Sequence, residues 1–222
     1  MSEVKNKEVK YKYAIDETGE MVSIYQYNNI EDYKHHSYKC ASCGRELLPR
    51  ALQSKYKQRH FYHFEPVECS GEQYLHKLGK YLIKKKFDEE EHFYISLIVK
   101  ETEECNKIEC PLRNRACEKY ELASWHDSPI DLKEDYDTCT EEAYIDGKRA
   151  DLLLTNSKNT QTPPILIEIW YTHQCEVNKI ETGHRIIELK IQNEQDIINI
   201  YNQAVWYENI QNIAFIHLTI KR

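Results

Sequence analysis

No apolar run in this chain approaches the ~18 residues of a membrane-spanning helix, so no span is expected. The opening MSEVKNKEVK has no apolar core and does not read as a signal peptide, which places the chain, as an expectation, in the cytoplasm. Internal repeats and low-complexity stretches are missing too, and that excludes a solenoid or a repeat array. Positive net charge is also lacking. The formal charge is −7, which does not advertise a nucleic-acid binder.

What is present is more informative. The 222 residues suffice for one large domain or two small ones with a real core. Hydrophobics make up 41% and charged residues 30%, a profile compatible with a globular chain. The 17 tyrosines put polar tips on apolar bodies and suit surfaces and clefts. Eight cysteines in a reducing compartment read as metal ligands or core residues rather than disulfides. The charge is segregated. Arg45 to Lys86 carries ten Lys/Arg against four Glu, whereas Asp88 to Asp146 carries six against eighteen acidic residues. The basic part, with Arg45, Lys55, Lys57, Arg59 and Lys84, suits phosphate contacts, and the acidic part would limit non-specific binding.

Periodicity divides the chain further. KYKYAID and MVSIYQY flank ETGE as a β-hairpin with Gly19 in the turn. In GEQYLHKLGKYLIKKKF, residues Tyr74, Leu75, Leu78, Leu82 and Ile83 fall at helical spacing. EHFYISLIVKE reads as a strand, and residues 101–142 as an acidic, Cys-bearing insertion with one short helix. AYIDGKRADLLLTN and PPILIEIWYT are strand segments, CEVNKIETG a short helix ending at Gly183, and HRIIELKI a strand. Residues 193–207 read as a helix and NIAFIHLTI as a last strand. This order predicts an α/β (α+β) fold with a mixed central sheet flanked by helices. It also predicts two modules: a hairpin and metal-knuckle module at 1–70, and a core at 71–222.

Two carboxylates stand out. Asp151 in RADLLLTN and Glu168 in ILIEIWYT sit within short apolar strands, where an unpartnered charge costs several kcal/mol. If the strands are neighbours, the pair can hold one Mg²⁺ or Mn²⁺, with the Ile169 carbonyl as a third ligand. Such an ion generates hydroxide and offsets charge on a phosphodiester. Glu72, His76 and Lys80 recur at i, i+4 and i+8, so an acid, an imidazole and an amine share one helix stripe. Glu72 would assist the ion, while His76 and Lys80 would serve water and phosphate. His173, directly after the Glu168 strand, is a further candidate for a phosphate contact, against a structural role.

The cysteines add a second theme. Cys40-x-x-Cys43-Gly44 and His60-x-x-His63 have the ligand types and paired spacing of a tetrahedral zinc site, with Cys69 as a rival ligand. Cys105, Cys110, Cys117 and Cys139 are candidates for a second structural zinc within the insertion, and core or surface roles are the alternative. Cys175 has no evident partner.

GEQYLHKLGK, KRADLLL and ILIEIWYTH, together with the Cys-x-x-Cys and His-Phe-x-His segments, resemble the competence protein CoiA-like family of the PD-(D/E)XK nuclease superfamily. The resemblance spans about residues 38–191 and rests on the order and spacing of the motifs. It implies a restriction-endonuclease-like core and metal-dependent DNA cleavage. The site residues it implies are Asp151, Glu168, Glu72, His76 and Lys80. The chain departs from that pattern at Trp170, where the superfamily carries a lysine or glutamine two residues after the glutamate. A lysine from elsewhere must then serve. Lys80 ranks first because its stripe carries Glu72 and His76, ahead of Lys179 and Lys190. The competing expectations are a degenerate DNA-binding module with structural zinc, and a zinc-bearing protein that works through protein partners. A homodimer stays open.

Overall fold

The computed structural model describes residues 11–27, 30–96, 99–101, 124–126, 129–172, 177–207 and 212–218. In chain order the first elements are β1 (Tyr13–Ile15), β2 (Met21–Ser23), α1 (Ile30–Tyr33), β3 (Tyr38–Lys39), β4 (Glu46–Arg50), β5 (His60–His63) and α2 (Gly71–Glu89). There follow β6 (Tyr94–Ser96), β7 (Val99–Glu101), β8 (Ser124–His126), β9 (Pro129–Asp131), β10 (Thr138–Glu141), β11 (Tyr144–Ile145), β12 (Lys148–Arg149) and β13 (Leu152–Thr155). The chain continues through β14 (Ile165–Trp170), α3 (Val177–Ile180), β15 (Arg185–Lys190), α4 (Glu194–Asn202), β16 (Val205–Tyr207) and β17 (Ile213–Ile216). The fold is mixed α+β, mostly strand with few helices, arranged in several sheets. Among the described residues no helix is long and apolar enough to cross a membrane.

Two five-stranded sheets dominate. The N-terminal one has the order β2-β1-β3-β4-β5, and the central one β10-β13-β14-β15-β17. In the central sheet β14 and β15 run parallel and every other neighbouring pair is antiparallel. Helix α2 begins where Ser70 accepts from the Gln73 amide, an N-cap that satisfies one orphan donor. Its buried stripe includes Tyr74, Leu75, Leu78, Leu82 and Ile83, the residues its periodicity marks. Gly79 lets the helix approach the sheet closely: a Cβ there would lie 3.0 Å from Ile191 Cδ1 and 3.1 Å from Ile169 Cδ1.

The central sheet has two unequal faces, because side chains alternate along each strand. Ile165, Ile167 and Ile169 of β14 join the main core with α2, and that core extends into the N-terminal sheet through Tyr11, Ala14 and Phe61. Leu153, Leu166 and Ile186 face the other way. They form a small cluster covered by Ala143 and Ile145 near the β11–β12 hairpin and by Ile180 of α3. That hairpin turns at Asp146 and Gly147, both at positive φ, as an Asp-Gly turn requires.

Three expectations change. Residues 193–207 do not form one helix: α4 ends at Asn202, Gln203 is extended, and β16 pairs in parallel with β6. Val205, Trp206 and Tyr207 favour strand geometry, and the fully buried Trp206 packs on Phe93 at 4.7 Å while its Nε1 donates to the Ile200 carbonyl. The segment 91–101 holds two short strands, β6 and β7, in different sheets. The acidic insertion is not peripheral at its end, because β10 supplies an edge strand of the central sheet. Its only described helical turn is the 3₁₀ segment Leu132–Glu134.

Candidate functional site

Asp151 and Glu168 meet as the strand spacing suggests. β13 pairs with β14 so that Leu152 lies opposite Ile167, and one more step brings Asp151 opposite Glu168. Both share the face of Leu153 and Leu166. Asp151 Oδ2 accepts from the Ile169 amide at 2.8 Å and lies 2.9 Å from His76 Nε2. The Ile169 backbone thus meets the acidic pair through its amide. Burial pushes the Asp151 carboxyl up. The His76 contact, the Ile169 amide and Lys80 outweigh it and hold the group below the ordinary carboxylate range.

Glu168 is the opposite case. It is 8% exposed, and burial raises its carboxyl to about 7, with the Asp151 charge adding to the rise and Lys179 opposing it. Lys179 Nζ, from α3, donates to Glu168 Oε2 at 2.8 Å and to the Arg149 carbonyl at 2.8 Å. Glu168 Oε1 is buried with no hydrogen-bond partner among the described residues. A carboxylate oxygen that is desolvated and unbonded, beside a second ionised carboxylate, is a donor set that fits a hard divalent cation.

The helix stripe divides. His76 reaches Asp151, while Glu72 lines a cleft of about 140 Å³ together with His76, Trp170 and Tyr171. Glu72 Oε1 accepts from Thr172 Oγ1 at 3.3 Å. Lys80, ranked first, acts on Asp151 through its charge but gives its ion pair to other carboxylates. It is buried and ion-paired to Glu142, with Glu141 Oε1 at 3.4 Å. Arg149 Nη1 holds the second oxygen of Glu142 at 3.2 Å. Sequence periodicity could not show this, because Glu141 ends β10 and Glu142 begins the turn after it, inside the segment that reads as insertion. Lys190 is aligned with Trp170 and places its ammonium 5.0 Å from the indole centroid.

One acidic residue escaped the sequence reading. Glu188 of β15 pairs in register with Glu168, is 5% exposed, and extends the row Asp151–Glu168 onto a third strand. The signal that marks Glu168, a carboxylate inside an apolar strand, is present in RIIELKI as well. His173 and Cys175 lie outside the described residues.

Four other side chains converge at the end of the N-terminal sheet. Cys40, Cys43, His63 and Cys69 bring their ligand atoms within 4.8 Å of one another and could hold a metal such as zinc. Cys40 Sγ is 3.6 Å from Cys69 Sγ, and Cys43 Sγ is 3.2 Å from His63 Nε2. Tetrahedral zinc, with Zn–S near 2.3 Å, sets its sulfurs roughly 3.8 Å apart. Gly44, at φ +70°, turns the chain so that its amide bonds the Cys40 carbonyl. The amides of Cys43 and Ser42 bond the Cys40 sulfur, though burial still pushes this thiol to about 12. Burial acts to raise Cys69 as well, but hydrogen bonds led by that from Tyr11 draw it below the usual thiol range. Burial lowers His63, which favours the neutral, ligating imidazole.

His60 is therefore a correction: Cys69 takes its place. Residues three apart on a strand point to opposite faces, so His60 and His63 on β5 cannot converge. His60 is buried in the sheet, with Nδ1 donating to the Gln58 carbonyl at 2.9 Å. Of the second proposed cluster, Cys105, Cys110 and Cys117 lie outside the described residues, and Cys139 is buried in the main core on β10.

The five basic candidates do not form one patch. Lys55, Lys57 and Arg59 share the β4–β5 loop with Tyr56, which is 98% exposed. Arg45 lies beyond the other end of β4, beside the cysteine cluster, roughly 15–20 Å away at about 3.3 Å per strand residue. Lys84 is on α2, paired with Asp88 Oδ2 at 2.5 Å.

Comparison with protein-family models, with curated proteins and with solved structures yields no match for this chain.

Proposed function

We propose that this protein is a Mg²⁺- or Mn²⁺-dependent DNA-cleaving enzyme with a restriction-endonuclease-like core of the CoiA-like kind. The observation that carries the reading is the Asp151–Glu168 pair, at the start of β13 and on β14. Its Glu168 Oε1 is buried and has no hydrogen-bond partner among the described residues, while Asp151 is oriented by His76 and the Ile169 amide. Asp151 and Glu168 would hold the ion, which supplies an activated water and charge offset at the scissile phosphate. His76 holds Asp151 ionised and in one orientation. Glu72 and His76 line a neighbouring cleft, and His76 links it to Asp151, so a phosphate group seated there would lie beside the pair. The same cleft is lined by Trp170 and Tyr171, whose rings suit stacking on an exposed base.

A structural zinc at Cys40, Cys43, His63 and Cys69 accompanies this reading, since the donor set and spacing fit tetrahedral coordination. The exposed β4–β5 loop, with Lys55, Lys57, Arg59 and Tyr56, is the element best placed to meet a nucleic-acid backbone.

Plasmid incubated with the protein and Mn²⁺ is expected to be nicked or linearised. Asp151→Ala and Glu168→Ala are each expected to lower the rate by at least about 10²-fold, as does chelation of the ion. Cleavage by both variants at the wild-type rate rejects the site. A second reading, DNA binding without cleavage, is favoured by Trp170 at the position two after Glu168. It predicts salt-sensitive binding and no Mn²⁺-dependent product.

A further inference from the structure

We propose that Lys179 is the cation that completes the Asp151–Glu168 site, reaching it from α3 rather than from the strand position that Trp170 occupies. The inference rests on the cleavage reading above and deepens it by assigning a further catalytic residue.

Lys179 Nζ ties β14 to the end of β12, just ahead of Asp151. It donates to Glu168 Oε2 on β14 and to the carbonyl of Arg149, two residues before Asp151. Its side chain is 13% exposed, so the contact sits in a largely desolvated place where an ammonium acts strongly on neighbouring charge. These bonds take two of the three ammonium donors and one of the two Glu168 oxygens. Among the described residues this leaves one N–H for a water or phosphate oxygen, and Glu168 Oε1 for a cation.

The rival lysines are engaged elsewhere. Lys80 is clasped by Glu142 and approached by Glu141. Lys190 lies over the Trp170 ring. Trp170 thus holds a different lysine against its face, while α3, fixed by Ile180 in the small apolar cluster, delivers Lys179 to the carboxylate itself.

The assignment makes a split prediction. A lysine that serves only folding would, when removed, weaken ion binding and cleavage together. An ammonium beside the ion repels it and also offsets charge in the transition state. Lys179→Met is therefore expected to bind Mn²⁺ about threefold or more tighter by calorimetry, yet to cut plasmid about 10²-fold more slowly in kcat with KM for DNA little changed. Lys179→Arg recovers part of the rate, and Lys190→Met keeps both quantities within about threefold of wild type. Thermal melts confirm that each variant is folded, and Lys179→Arg carries the test if Lys179→Met is not. Wild-type cleavage that Lys179→Met retains overturns this inference and leaves the cleavage reading standing, as does loss of cleavage in Lys190→Met alone. Wild-type protein that never cuts overturns the cleavage reading, and the Mn²⁺ affinities then still decide whether Lys179 stands beside the ion.

Discussion

Asp151 and Glu168 face each other across a strand pair, yet their protonation differs because their partners differ. Asp151 gains an imidazole and an amide, and stays ionised. Glu168 is desolvated next to a charge of its own sign, and Lys179 only partly compensates, so its carboxyl sits at about 7. The sign of the pH effect follows. A cation needs the carboxylate form, and protons compete for it more strongly as pH falls through the folded-state value. Mn²⁺ affinity is expected to drop about tenfold per unit below roughly pH 7 and to level off above it. Calorimetric titration between pH 5.5 and 8.5 checks this, and a flat profile would place the ion elsewhere. That both acids stand out was legible from single residues, since a carboxylate in an apolar strand needs a partner. The ranking of the lysines was not. It depends on where Glu141, Glu142 and α3 come to lie, and these are distant in sequence from the strands they serve.

At the scale of elements, strand alternation decides the second site. β5 can aim only one of His60 and His63 at the Cys40–Cys43 knuckle, and the loop before α2 supplies Cys69 instead. Cys69→Ser is expected to abolish zinc binding measured by elemental analysis, whereas His60→Ala keeps a stoichiometric zinc despite losing packing. Retention of zinc in the first variant, or its loss in the second, would reverse the assignment. The Cys-x-x-Cys-Gly turn was legible because its geometry is local. The choice between His60 and Cys69 was open until the strand fixed which way each side chain points. The same limit applies to residues 205–207: helical spacing continues through them, but pairing with β6 and burial of Trp206 draw them into a strand.

Across the whole molecule, the N-terminal sheet and the central sheet share one apolar core, and a buried polar knot joins them. Glu194, at the start of α4, accepts from the Tyr74 hydroxyl of α2 and from the Lys12 amide at 2.7 Å, beside β1. Tyr74→Phe leaves Glu194 short of a donor and is expected to cost about 1–3 kcal/mol in urea unfolding. The loss should appear in one transition that includes the N-terminal sheet. Two separate transitions would show that the predicted division near residue 70 is also a division in stability. The sequence by itself determined the mixed α+β character, the α2 stripe, the cysteine knuckle and the two strand carboxylates. Each of these is written in local periodicity and in the energetic oddity of a charge among apolar neighbours. Only the tertiary structure decided that β10 closes the central sheet, that Cys69 displaces His60, and that Lys179 meets Glu168. It alone aligned Glu188 with the acidic row. Those outcomes depend on long-range register and on which way a side chain faces once its strand is paired, and no local pattern carries that information.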